Sequence, residues 1–273
     1  MKLLVSSFLL LVLSYPATAE VVESFTTCEQ FFFKSQPPTE PSGVQYKKIC
    51  QKTEDGYQFA TLYDTNRRIP VYSAYKFQGR VTYERKDKWL IEPKLDDQNG
   101  GDFMASGDAV KTGLGTNQAL KADYRNSDYD KGHLLPGQHR HSQPSADATF
   151  TLTNVAPQVG KFNQGPWNEK ETKVADTLTT KCLNSGFHAY IVTGVVPGNT
   201  NIKKRVNVPS YFWSAFCCGD NNDKPKLSGA YYGDNVESGN INEIEDLEDL
   251  DTKLSKDYGY TFKVFSDKCK QAP

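Results

Sequence analysis

A chain of 273 residues with 32 basic and 33 acidic side chains is long enough for one large domain or two small ones, and too nearly neutral to coat nucleic acid stoichiometrically. Neutrality leaves room for an enzyme that must release a charged product. The signs are uneven: residues 234–251 hold eight acids and no base, whereas Arg125, Lys131, Arg140, Lys161, Lys170 and Lys173 gather within residues 125–173, so a local positive field is available.

The first nineteen residues, MKLLVSSFLLLVLSYPATA, read as a cleaved secretory signal: Lys2, an apolar run over residues 3–13, then Ala17-Thr18-Ala19. A membrane anchor needs roughly 18 apolar residues in a row, and Ser6, Ser7, Ser14 and Pro16 leave too short a run. The expected product is soluble and extracellular, beginning near Glu20, with no membrane attachment. Its cysteines, Cys28, Cys50, Cys182, Cys217, Cys218 and Cys269, are an even set in an oxidising compartment, so disulfides are expected. Cys28 with Cys50 is the expected local pair; the sequence leaves the pairing of the other four open. No Asn-x-Ser/Thr acceptor occurs, so N-glycosylation is not expected.

Residues 20–45 read as an arm, because Pro37, Pro38 and Pro41 exclude regular structure, and a single α+β domain is expected over residues 46–273. Residues 57–64 and 69–77 alternate or are rich in β-branched and aromatic side chains around an Asn-Arg-Arg turn, which predicts a hairpin. Residues 96–118, rich in Gly, Asp and Asn, predict a surface excursion with a short helix near its end. A buried strand is expected over residues 148–158, and a helix over residues 161–182 with Trp167, Val174 and Leu178 on one stripe. Another strand pair follows at residues 188–196 and 208–218. Ile241, Ile244, Leu247, Leu250 and Leu254 recur at helical intervals and predict one amphipathic helix with a solvated acidic face.

The chemistry centres on YDKGHLLPGQHR, residues 129–140. Imidazole is the side chain that accepts a proton most readily near neutral pH, and a flanking carboxylate such as Asp130 can orient it. His133, His139 and His141 could instead bind zinc, but Pro136 and Gly137 interrupt the segment that would have to align them. A serine nucleophile on a G-x-S-x-G elbow is absent, and oxidised cysteines make poor nucleophiles. Downstream, Asn163 opens the predicted helix, and Glu171 lies about two helical turns later. Both present hard oxygens of the kind Mg²⁺ accepts, while Asn163 also suits a helix N-cap.

Taken together these stretches resemble the DNA/RNA non-specific endonucleases. That family carries Asp-Arg-Gly-His, a Thr/Ser-Asn-x-x-Pro-Gln strand end and an Asn-Gln-x-x-Trp-x-x-x-Glu run. This chain has Asp130-Lys131-Gly132-His133, then Thr153-Asn154-Val155-Ala156-Pro157-Gln158, then Asn163-Gln164-Gly165-Pro166-Trp167-Asn168-Glu169-Lys170-Glu171. The resemblance covers roughly residues 57–269; ADYRNSDYDKGHL and HRHSQ are similar to endonuclease G, and the signal and cysteines to secreted endonuclease domain-containing 1-like proteins.

The resemblance implies a ββα-metal fold with a mixed or antiparallel central sheet and flanking helices. It also implies Mg²⁺ or Mn²⁺ as cofactor, and DNA and RNA as substrates read by backbone charge rather than base edges. By the same resemblance His133 would be the general base, Asn163 the direct metal ligand, Glu171 a holder of metal-bound water, and Asp130 the group that orients the His133 loop. Arg125, Lys131 and Lys173 would grip phosphate, and a further arginine expected upstream falls at Arg85 or Lys88. Two positions depart from the family pattern: Lys131 replaces an arginine, and Ala175 stands where another arginine often follows the helix glutamate. They motivate an alternative, a nuclease-fold protein that binds nucleic acid with little turnover.

Overall fold

The computed structural model describes residues 21–53 and 55–270; the segment read as a signal lies outside them. Eight strands form one sheet in the order β1 (Val21–Val22), β2 (Tyr46–Thr53), β3 (Gly56–Asp64), β4 (Ile69–Phe77), β7 (His188–Ile202), β8 (Val206–Gly219), β9 (Pro225–Asp234) and β10 (Ile241–Ile244), every neighbouring pair antiparallel. A separate antiparallel ribbon joins β5 (Tyr129–His133) to β6 (Val155–Val159). The predicted hairpin is β3–β4. Its turn is made by Asp64, whose Oδ1 accepts from the backbone N–H of Asn66 and Arg67 at 2.9 and 3.0 Å, the local bonding that makes aspartate a turn former.

Period-2 alternation sorts the sheet's side chains into two cores. Phe59, Tyr75, Phe77, Ile191, Phe212, Cys218 and Tyr231 belong to the front, and Ala60, Leu62, Tyr72, Ala74, Val192, Trp213 and Cys217 to the back. Cys217 and Cys218 are chain neighbours on β8, so their side chains leave opposite faces and must find different partners. Cys218 joins Cys182 in front and Cys217 joins Cys269 behind, while Cys28 pairs with Cys50 as expected.

The back layer is the C-terminal helix (Leu247–Tyr258), which buries Leu250 and Leu254, together with the N-terminal segment. That segment does not stand off as an arm: Phe25, Phe31, Phe32 and Phe33 are buried against the sheet, and Val21–Val22 pairs with β2. The amphipathic helix expected from Ile241 onward starts later. Ile241–Ile244 pairs with β9 as an edge strand, because β9 offers unpaired backbone there, and the Asp246 side chain accepts from the Glu248 N–H at 2.9 Å to cap the helix.

The ribbon and the site helix (Asn168–Lys181) make the front layer. Asn235 fastens the ribbon to the sheet: its Nδ2 donates to the carbonyls of Pro157 and Pro209, both at 3.0 Å, and its Oδ1 accepts from Val159 N–H at 2.8 Å. Val174, Ala175 and Leu178 face the core, and Trp167 packs against Phe162, Phe212 and Tyr231 at ring separations of 5.1–5.7 Å. The strand expected over residues 148–158 shortens to β6, preceded by a tight turn at Leu152–Asn154. Residues 96–118 form the expected excursion, with a 3₁₀ turn at Gly107–Ala109, and a one-turn helix at Lys121–Tyr124 lies just beyond it.

Candidate active site

In the ribbon, alternation sends Tyr129, Lys131 and His133 to one side of β5 and Asp130 and Gly132 to the other. Gly132 is required by a close approach: a Cβ there would lie 2.2 Å from Gln158 Oε1. The His133 ring is wedged between Trp89 and Phe150, with centroids at 5.2 and 5.1 Å. Its Nε2 is buried with no protein partner among the described residues, and the ring lines a cleft of about 660 Å³. Burial, and then the positive charges of Arg85 and Lys131, push its pKa down to about 3. The ring is therefore neutral, the form a general base requires, throughout the neutral range.

Asp130, expected to orient the His133 loop, also reaches across the cleft. Its Oδ2 accepts from Asn163 Nδ2 at 2.9 Å and Gln164 Nε2 at 2.8 Å, so the carboxylate fixes the amide of Asn163 across the cleft. Asn163 is not a helix N-cap, because its own backbone is helical (φ −58°, ψ −51°). The segment expected as one helix over residues 161–182 is a turn at Gly160–Phe162, a wider π-helical turn at Asn163–Trp167, and then the site helix. Gly165 leaves helical geometry (φ −102°, ψ −111°) and Pro166 has no N–H to donate, which together force the widening.

Glu171 follows one turn into the site helix. It is 7% exposed, and its Oε2 accepts from Gln138 Nε2 at 3.2 Å. Burial pushes its carboxyl up to about 8, while Gln138 and Trp167 pull the other way. His139 is spent structurally: its Nε2–H donates to the Glu171 carbonyl at 3.0 Å, and its Nδ1 accepts from the Tyr75 hydroxyl at 2.8 Å. With both nitrogens engaged it cannot join His133 and His141 on a zinc ion, and burial pushes its pKa down to about 4.

Of the expected phosphate-gripping residues, Lys131 lines the cleft, its ammonium 4.9 Å from the Trp89 ring centroid and 5.6 Å from that of Tyr124. Arg125 and Lys173 are exposed and outside the cleft lining. Arg85 lines it, with its guanidinium 5.7 Å from the Phe150 centroid, and Lys88 does not. Gln138, Trp89 and Tyr83 are site residues that the motifs did not single out; they come from irregular segments with no periodicity to mark them.

Asn163 is the group best suited to a divalent metal. Asp130 takes its amide N–H, which leaves the carbonyl oxygen as the free hard donor. Among the described residues no group of three or more His, Cys, Asp or Glu side chains could hold a metal. That donor set does not enclose a bare ion, and it fits Mg²⁺, which keeps most of its water.

The sequence pattern of the DNA/RNA non-specific endonucleases matches residues 43–263. The chain is 38% identical over 198 residues to endonuclease domain-containing 1 protein of Homo sapiens, an alignment covering 71% of this chain and 39% of that protein. It is 46% identical over 78 residues to mitochondrial endonuclease G of Homo sapiens, covering 28% of this chain and 25% of that protein. It thus spans less than half the length of these curated relatives. A solved structure of EndoG in complex with EndoGI shares the fold, with a TM-score of 0.53 at 20% identity, covering 81% of this chain and 86% of that one. The fold is accordingly that of the ββα-metal nucleases, and the chain belongs to the DNA/RNA non-specific endonuclease family.

Proposed function

We propose that this chain is a secreted, divalent-metal-dependent endonuclease that hydrolyses phosphodiester bonds of DNA and RNA with little sequence preference. The observation that carries the reading is the neutral His133 imidazole in a cleft that also holds Arg85 and Lys131, together with an Asn163 amide held by Asp130. The His133 imidazole takes the proton from the attacking water. Arg85 and Lys131 attract the phosphate backbone, Arg85 with a planar donor fork and Lys131 as a point charge. Such contacts position the strand without reading base edges, and a water nucleophile makes no use of the ribose 2′-hydroxyl. Mg²⁺ or Mn²⁺, held through the Asn163 carbonyl oxygen and through water by Glu171, would supply charge stabilisation at the phosphate and the leaving 3′-oxygen. The signal-like leader and the three disulfides support secretion.

The test is degradation of plasmid and of RNA by the purified, oxidised protein with Mg²⁺, with EDTA, and with His133→Ala in parallel. Metal-dependent cleavage that the mutant lacks supports the reading. A folded wild type that is silent with Mg²⁺ and Mn²⁺ from pH 5 to 9 overturns it in favour of binding without turnover.

A further inference from the structure

We propose that Gln138 is a positioning residue that holds Glu171 in its working orientation, a role which rests on the nuclease reading of the cleft. Glu171 is buried and lies on the first turns of the site helix, where it makes no salt bridge among the described residues: Ala175, one turn on, is fully buried in the core, and Lys173 is exposed. Its hydrogen-bond donor is neutral and comes from a different segment, the Gln138 amide, at 3.2 Å.

The same amide group grips the helix at two further points. Gln138 Nε2 also donates to Asn168 Oδ1 at 3.0 Å, and its Oε1 lies 3.3 Å from Thr172 Oγ1, whose one proton is shared with the Asn168 carbonyl at 3.0 Å. An amide satisfies this arrangement because it presents two N–H donors on one side and an acceptor on the other. Asn168, Glu171 and Thr172 stand at spacings of three and four, which places them on one helix face.

Gln138 itself has little freedom to move. Gly137 before it lies under Tyr83, whose hydroxyl would be 2.4 Å from a Cβ at that position, so the loop is pinned from outside. His139 after it is bonded to the Glu171 carbonyl and to Tyr75 on β4. The loop that starts at His133 thus returns to the metal side of the cleft through Gln138, and couples the base-bearing ribbon to the site helix by a route independent of Asp130 and Asn163.

The experiment compares wild type with Gln138→Met, which keeps the volume and removes every polar contact, and Gln138→Glu, which keeps the shape and puts an acceptor against Glu171. Mn²⁺ binding is measured by calorimetry without substrate, and kcat, KM and the Mg²⁺ activation constant are measured on a plasmid. Groups that orient a metal site from behind its ligands typically change metal affinity or activity by about 10–100-fold. Both variants are expected to melt within a few degrees of wild type, bind Mn²⁺ at least about tenfold more weakly and lose kcat by a similar factor, and Gln138→Asn is expected to recover part of the loss. Mn²⁺ affinity and kcat unchanged in both Gln138→Met and Gln138→Glu overturn the inference. So does a loss of activity that follows only a loss of folded protein, with normal Mn²⁺ binding by the folded fraction. A wild type that binds no Mn²⁺ and cleaves nothing defeats the nuclease reading itself.

Discussion

On the cleft side of the sheet, His133 Nε2, Arg140 Nε and both ends of the Gln158 amide are buried without a protein hydrogen bond among the described residues. Behind the sheet the Tyr72 and Tyr260 hydroxyls share that condition, while three neighbouring polar groups pair off. Trp213 Nε1–H donates to the Tyr258 hydroxyl at 2.9 Å, Tyr258 donates to the Val195 carbonyl at 2.9 Å, and Tyr211 donates to Asp257 at 2.6 Å. Two disulfides close the back against a single one in front. Native interiors leave few polar groups unpaired, and those that persist concentrate where a ligand, water or ion completes them. Of the groups named, the His133 ring is the one that lines the cleft.

The strongest way to break this contrast is His133→Ala. General-base removal costs about 10²–10⁴ in rate, and because the mutation also removes a ring packed between Trp89 and Phe150, the melting temperature is expected to fall as well. A rate loss below tenfold in the folded protein would remove His133 from the mechanism. Asp130→Ala comes next: with the Asn163 amide freed from its carboxylate, apparent affinity for Mg²⁺ should fall by about 10–100-fold while His133 keeps its environment. Equal Mg²⁺ activation curves for mutant and wild type would contradict the orienting role.

Smaller effects fall on stability. Replacing Cys182 and Cys218 by alanine releases the end of the site helix from β8 and is expected to cost about 2–4 kcal/mol in chemical denaturation. Activity measured on the folded protein should fall with it. The corresponding Cys217, Cys269 pair behind the sheet should cost stability with little effect on rate. A double mutant in front with unaltered kcat would show that the helix needs no tether.

The pH dependence differs in sign between His139 in front of the sheet and Asp251 behind it. His139, in front, has its folded pKa pushed down to about 4 from an ordinary 6.5, so the unfolded chain binds more protons between those values and stability falls as pH drops through that window. Asp251, behind, is 5% exposed and has its folded pKa raised to about 6 by burial, against the pull of the Val264 N–H and Lys263. Here the native state binds more protons, so the contribution present below about pH 4 is lost as pH rises to about 6. Asp251→Asn keeps an acceptor for Val264 and should stabilise the protein by about 1–3 kcal/mol at pH 7 and by much less at pH 4. Equal effects at both pH values would show that the carboxylate is not strained.

Much of this architecture was legible in the chain. The β3–β4 hairpin, the β7–β8 pair and the helix carrying Trp167, Val174 and Leu178 follow from periodicity and local turn chemistry, signals that survive in a short window. The motifs around His133, Asn163 and Glu171 were also marked, because their residue types and order are local. Ile241–Ile244 was misread as helix because its spacing suits either state and a neighbouring strand edge decided between them. The extent of the pairing that made residues 21–33 part of the core was hidden for the same reason, since its partner strand lies further along the chain.

By itself, then, the sequence determined the motifs that mark the chain's family and which segments prefer strand or helix, since both are properties of residues and their near neighbours. The tertiary structure alone decided that Asp130 serves Asn163, that His139 is spent on Tyr75 and a helix carbonyl, and that Arg85 rather than Arg125 or Lys173 lines the cleft. It also decided that Glu171 is met by Gln138, thirty-three residues away. Hydrogen bonds act over about 3 Å, and only folding brings such distant segments within that reach.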